Sequence, residues 1–181
     1  MIGSSPRIGK AAELRNAFDR ARAIPFSSQA VERMESLIGV RICGDSYAIR
    51  VSEISGLANA RKIVELPSAI PELLGVAGVR GVLVPVYSLS ALLGYNAEAV
   101  QGRWLVLCGT EEPIGLAFND FEGYVTVPSA QVYAAAQNDV ARTHAKHVVR
   151  TAQMVRAVVS IPLIRELIQA RCGTKDESKE R

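Results

Sequence analysis

From Leu37 onward the apolar period falls to two. Leu37, Val40, Ile42, Tyr47, Ile49, Val51 and Ile54 predict a hairpin turning at Gly44-Asp45. Trp104–Cys108 and Ile114–Phe118 predict a second strand pair, continuing through Phe121 and Tyr124 to Val127. Val148–Arg150 and Met154–Val159 read as late strands. Two stretches have the helical period instead. Ala11, Leu14, Phe18 and Ala21 form one stripe of a helix over Ala11–Ala23, which Pro25 ends and a linker, Pro25–Gln29, follows. Pro162–Arg171 reads as the other, with Pro162 in its first turn and Gly173 just past its end. Residues 1–9 and the charged tail from Thr174 are expected to be disordered. The early helix either packs on its own domain or docks a partner.

The strand patterns repeat. Val40-Arg41-Ile42-Cys43-Gly44 parallels Leu105-Val106-Leu107-Cys108-Gly109, and Ile49–Gly56 parallels Leu116–Gly123. Each half then ends strand-then-helix, with Val82–Val86 into Leu89–Leu93 and Met154–Val159 into Pro162–Arg171. Two copies at so long a period do not make a solenoid. They predict two similar β lobes, rolled into barrels that leave few free edges.

Gly75–Gly94 holds the apolar strand of the first lobe and a short helix opened by Ser88 and closed by Gly94. It has no nucleophile, general base or metal ligand, so it reads as a binding surface. Its glycines, Gly75, Gly78 and Gly81, lack the strand–GxGxxG–helix order of a pyrophosphate cradle and read as backbone turns or close packing. Arg80, between glycines and ahead of the apolar strand, has no neutralising neighbour in sequence. It is either an internal salt-bridge or snorkelling arginine, or one presented to a protein partner.

Chemistry elsewhere is sparse. His144 and His147 would need a further ligand to hold zinc, and they read as solvated loop residues. Glu111-Glu112 fall at a hairpin tip, where solvated charges belong. Three widely spaced cysteines, Cys43, Cys108 and Cys172, predict no disulfide framework. A hydrophobic fraction of 49% suffices for one core or two small lobes. A net charge of +3, mixed along the chain, gives no track for a phosphate backbone. The longest apolar run falls short of a membrane span, and the N-terminus lacks a signal-like apolar stretch and a glycine at position 2, so a cytoplasmic protein is expected.

Tyr47-Ala48-Ile49-Arg50-Val51-Ser52-Glu53-Ile54 resembles the second strand of CheW-like chemotaxis adaptor domains. Leu66-Pro67, Pro71 and Gly75 resemble the family's proline-bearing segment, and Arg80-Gly81-Val82-Leu83-Val84-Pro85-Val86 its arginine–glycine–apolar–proline signature. The likeness runs from Leu37 to Arg171. It implies two packed five-stranded β barrels at residues 36–172, with a boundary near 95–103, an N-terminal extension over 1–35 and a tail over 173–181. It also implies a non-enzymatic scaffold, without cofactor or metal, bridging the cytoplasmic tips of methyl-accepting chemoreceptors to the regulatory domain of the histidine kinase CheA, at the inner face of the membrane. The resemblance places Val51, Glu53, Ile54 and Arg80 near the receptor contact, in a groove between the lobes, with Gly75 and Gly81 shaping its loops. The sequence departs from the family pattern at Gly78, at Ser88, at Ile161-Pro162 and at Arg150-Thr151-Ala152-Gln153. An adaptor of a non-flagellar chemosensory pathway and a small-ligand-binding β domain are the other readings.

Overall fold

The computed structural model describes residues 33–59, 62–95, 102–135, 144–151 and 154–173. The predicted helix Ala11–Ala23, its linker and the tail from Thr174 lie outside them. The chain divides at Arg33–Met34 into two units, and every described element belongs to the second.

β1 (Met34–Ile42) and β2 (Asp45–Arg50) form the first hairpin. Its two turn residues are Cys43 and Gly44, both at positive φ, one position earlier than predicted because Ile42 already pairs with Asp45. A 3-10 turn, Val51–Glu53, leads into β3 (Gly56–Asn59) and β4 (Ile63–Val64). β5 (Leu73–Val79) and β6 (Val82–Ser88) make the second hairpin, and α1 (Leu89–Leu92) follows. Ser88 caps α1 as expected, its Oγ accepting from Ala91 N at 3.3 Å. β7 (Trp104–Cys108), β8 (Ile114–Phe118) and β9 (Asp120–Pro128) come next. β10 (Val132–Ala134), β11 (Ala145–Arg150), β12 (Val155–Val159) and α2 (Ile161–Gly173) complete the chain.

The strands form two six-stranded sheets, ordered β10-β11-β12-β2-β1-β9 and β4-β5-β6-β8-β7-β3. Read in this direction the two orders have the same connectivity. Each contains one parallel pair at the same place, Ala157↔Tyr47 in the first and Val86↔Gly115 in the second. The repeat in the sequence is therefore a repeat in topology. Each sheet nevertheless mixes the halves: the hairpin β1–β2 joins the strands after Asn119, and the hairpin β7–β8 joins those before Tyr95.

Closed five-stranded barrels are not found. Each sheet has six strands and is rolled but open. Leu37, Ala48, Val125, Val127, Val132, Val149 and Val158 pack in one cluster drawn from all six strands of the first sheet. Ala58, Ile63, Ala77, Val86, Leu105 and Ala117 do the same for the second. Strands at opposite ends of a sheet meet one cluster only if the sheet curls. Among the described residues no ladder joins β10 to β9 or β4 to β3. One partner at each seam is short, three residues in β10 and two in β4, which is too little ladder to close a barrel.

A third core lies between the sheets. Ile38, Val40, Ile42, Tyr47 and Ile49 meet Tyr87, Val106, Leu116 and Phe118 there, together with Leu89 and Leu92 of α1 and Ile161, Ile164 and Ile168 of α2. The central strands are apolar on both faces, since adjacent residues such as Leu37 and Ile38 serve different clusters.

Candidate functional site

The hairpin β5–β6 ends in a two-residue turn. Val79 pairs with Val82, leaving Arg80 at φ 51° and Gly81 at φ 82°. Two successive positive φ values give the turn whose twist suits a hairpin, and glycine is the usual residue there. Arginine at the first position carries a backbone penalty of about 1 kcal/mol, so its side chain is presented at some cost. Arg80 is exposed and makes no ion pair among the described residues. At the other end of β5, Gly75 is buried at φ 139°, and a β-carbon there would collide with the backbone of Val64 and Glu65. Gly75 thus lets the end of β4 pass close to β5, beside a bulge in the β5–β6 ladder.

Val51, Glu53 and Ile54 lie on the crossover from the first sheet to the second. Val51 and Ile54 are half-buried against the central core. Glu53 is held on both oxygens: Arg50 Nη1 donates to Oε1 at 3.3 Å, and the backbone N–H of Ile161 donates to Oε2 at 2.9 Å. Arg50 in turn donates through Nε to Glu35 Oε2 at 3.0 Å. The crossover and the hairpin tip approach each other at Gly56, where a β-carbon would stand 3.9 Å from Arg80 Nη2.

Two apolar faces remain open to solvent. In the second sheet Val64, Val76 and Pro85 stand in register on one face, with Leu83 beside Pro85. Leu83 is 74% exposed, and Val64, Leu66 and Val82 are exposed with it. In the first sheet Tyr133, Val148 and Ala157 stand in register at the equivalent place, with Val155 beside Ala157. Tyr133 and Val155 are 55% and 59% exposed. Exposed cations rim both faces: Lys62 and Arg80 at one, Lys146 and Arg150 at the other, none of them ion-paired among the described residues. A third feature spans the two sheets: the rings of Trp104 on β7 and Phe121 and Tyr124 on β9 follow one another in tilted and edge-to-face contacts, with centroids 5.6 and 5.4 Å apart. Leu83 falls in the stretch Gly75–Gly94 that the sequence marks as a binding surface, and Leu66 in the proline-bearing segment, whereas Val64, Tyr133 and Val155 carry no such mark, because alternation shows which face a residue takes but not where the core beneath that face ends.

The match to a family model is to the CheW-like domain, over residues 36–170. The chain belongs to the CheW-like family. The chemotaxis protein CheW of Bacillus subtilis (strain 168) is 23% identical over 105 residues, covering 57% of this chain and 67% of that protein. The scaffolding protein TtCheW of Thermoanaerobacter tengcongensis has a solved structure that superposes with a TM-score of 0.65 at 10% identity, covering 73% of this chain and 92% of its own. That likeness is one of fold.

The titratable groups of this CheW-like domain are set by burial. The Cys108 thiol is fully buried and pushed up to about 12, chiefly by desolvation. Desolvation also pushes the Tyr87 hydroxyl up to about 12, with the Cys172 thiol 4.0 Å away adding to the rise. Burial lowers the His144 imidazole. His144 lies in a turn and His147 on β11, both half-buried rather than fully solvated, and among the described residues no three His, Cys, Asp or Glu side chains group to hold a metal. Glu111 and Glu112 are exposed in the β7–β8 turn, as expected, and there they line a shallow recess of about 240 Å³ with Gly109, Thr110 and Arg165.

Proposed function

We propose that this chain is a non-enzymatic scaffold that couples the cytoplasmic tips of chemoreceptors to the regulatory domain of a CheA-type histidine kinase in chemotaxis signalling. Such a scaffold works in the cytoplasm, at the inner face of the membrane, where receptor arrays hold it. The observation that carries this reading is the pair of exposed apolar faces at equivalent places in the two repeats, Val64–Leu83 and Tyr133–Val155. An adaptor needs two separate surfaces, and an apolar centre with a charged rim is the composition of a protein interface. The exposed cations on both rims favour partners whose contacting surfaces carry carboxylates.

The receptor tip meets the groove between the sheets, where Arg80 and Gly81 stand at the hairpin tip, Val51, Glu53 and Ile54 form the crossover, and Gly75 keeps the hairpin close to β4. Each contact is modest, and joining several in an array raises effective concentration without new chemistry. Signal then passes as a shift between packing states of receptor and kinase.

Co-sedimentation with a receptor cytoplasmic fragment and with the kinase regulatory domain tests this. Arg80→Glu is expected to weaken receptor capture by about tenfold or more while the fold persists. Leu83→Asp and Val155→Asp are each expected to weaken array assembly. A wild-type chain that captures neither partner refutes the adaptor reading, and unchanged capture by Arg80→Glu refutes the role given to Arg80.

A further inference from the structure

The chain first passes between its two sheets at the 3-10 turn Val51–Glu53, leaving β2 of one and entering β3 of the other. Glu53 ends that turn, and its Oε2 accepts the N–H of Ile161, the first residue of α2, at 2.9 Å. The first N–H groups of a helix have no partner within it, and the helix start carries partial positive charge. α2 has no acidic residue in its own first turn, and Pro162 supplies no N–H. Its capping carboxylate therefore comes from more than a hundred positions earlier in the chain. Glu53 in turn is oriented by Arg50, which Glu35 holds from the other side. This relay runs from β1 through β2 and the crossover to α2, whose Ile161, Ile164 and Ile168 fill the core between the sheets.

We infer that Glu53 is a positioning residue: it locks the crossover onto the start of α2 and so sets how the two sheets face each other. A partner in the groove between the sheets then depends on Glu53 through α2 and the crossover, not through direct contact. The binding part of this inference rests on the adaptor reading, whereas the structural part does not.

The test uses the full chain and two measurements. Amide hydrogen exchange over residues 161–164 reads the helix start. Affinity for a receptor cytoplasmic fragment reads the groove. Glu53→Ala is expected to speed exchange there about tenfold and to weaken receptor binding in step, since a lost cap and charge-assisted hydrogen bond change local opening by about that factor. Glu53→Gln keeps an acceptor for Ile161 and is expected to stay within about threefold of wild type in both measurements. Adding Ser160→Asp to Glu53→Ala restores a carboxylate at the same helix end from the residue just before α2, and is expected to recover both exchange and binding. If Glu53→Ala does not fold, Glu53→Asp, with shorter reach, gives the same comparison at smaller amplitude.

Unchanged exchange in Glu53→Ala overturns the inference. So does receptor binding lost in Glu53→Gln with exchange unaltered, or exchange recovered by Ser160→Asp without recovery of binding, because either marks Glu53 as a direct contact. A wild-type chain that binds neither receptor nor kinase refutes the adaptor reading alone, and the exchange data still decide whether Glu53 holds α2.

Discussion

The guanidinium of Arg156 lies across the face of Gly39, in the space where a side chain's β-carbon would stand. Leu37, Gly39 and Arg41 share the β1 face turned away from the central core, so Arg156 covers the end of the cluster inside the first rolled sheet. Glu122 lies between two arginines there, 2.9 Å from Arg156 Nη2 and 2.8 Å from Arg41 Nε. The result is a polar stopper on an apolar cluster.

Gly39→Ala displaces that guanidinium, and both Arg156 and Glu122 are mostly buried. The expected loss is ~2–3 kcal/mol, as when a largely buried charge pair is pulled apart. A urea titration at pH 7 checks this, with a lowered midpoint and an unchanged slope as the expected result.

Gly75→Ala meets backbone rather than a movable side chain, at a φ that glycine alone adopts freely. It is expected to cost ~2–4 kcal/mol and to detach β4 from β5. Loss of amide protection at Ile63 and Val64 reports the detachment.

The thiols differ sharply. Cys43 and Cys172 are exposed, and Cys108 is buried with its ionisation pushed up to about 12. An aromatic disulfide reagent at pH 8 is expected to titrate two thiols promptly and the third only at the rate of unfolding.

His144 and Cys108 make stability depend on pH in opposite directions. The His144 imidazole is lowered by burial, so the unfolded chain takes up its proton first as pH falls. The stability it contributes is complete above about pH 6.5 and declines below it, toward its lower folded value. Cys108 works at the other limit: its folded value is raised, so its contribution is intact below about pH 8.5 and declines as pH climbs toward about 12. Denaturant midpoints across pH 5–10 are expected to fall at both ends. His144→Gln is expected to flatten the acid limb and Cys108→Ala the alkaline one.

Leu83→Ser removes an exposed side chain from an uncovered face. Its effect on stability is expected to stay within about 0.5 kcal/mol, in contrast to its neighbour Val84, which is buried and whose change to alanine costs about 2 kcal/mol. Thermal melts of the two variants separate an interface residue from a core one.

The repeat was readable because Val40–Gly44 and Leu105–Gly109 each carry an apolar strand into a turn glycine, a local pattern that the topology reproduces. Strand exchange was not readable. Tyr47, Ala48 and Ile49 are apolar on both faces and suit any neighbour, so nothing local names β12 as the partner. Gly81 was legible as a turn because glycine bears on backbone conformation, whereas the positive φ of Arg80 was not, because arginine rarely adopts it. Glu53 was not legible as a cap, because the donor it meets, Ile161 N, is far away in sequence and carries no signature of its own.

The exchange of hairpins has a consequence for how the protein is made. β2 is synthesised early but pairs in parallel with β12, nearly at the end of the chain. The nascent first sheet therefore keeps one side of β2 unmatched until residues 155–159 leave the ribosome. At about 5–20 residues per second, that is an interval of seconds with an apolar strand edge uncovered. Neither half can mature alone, so a ribosome stalled between the repeats releases a client for chaperones, whereas two halves produced separately have the means to complete each other.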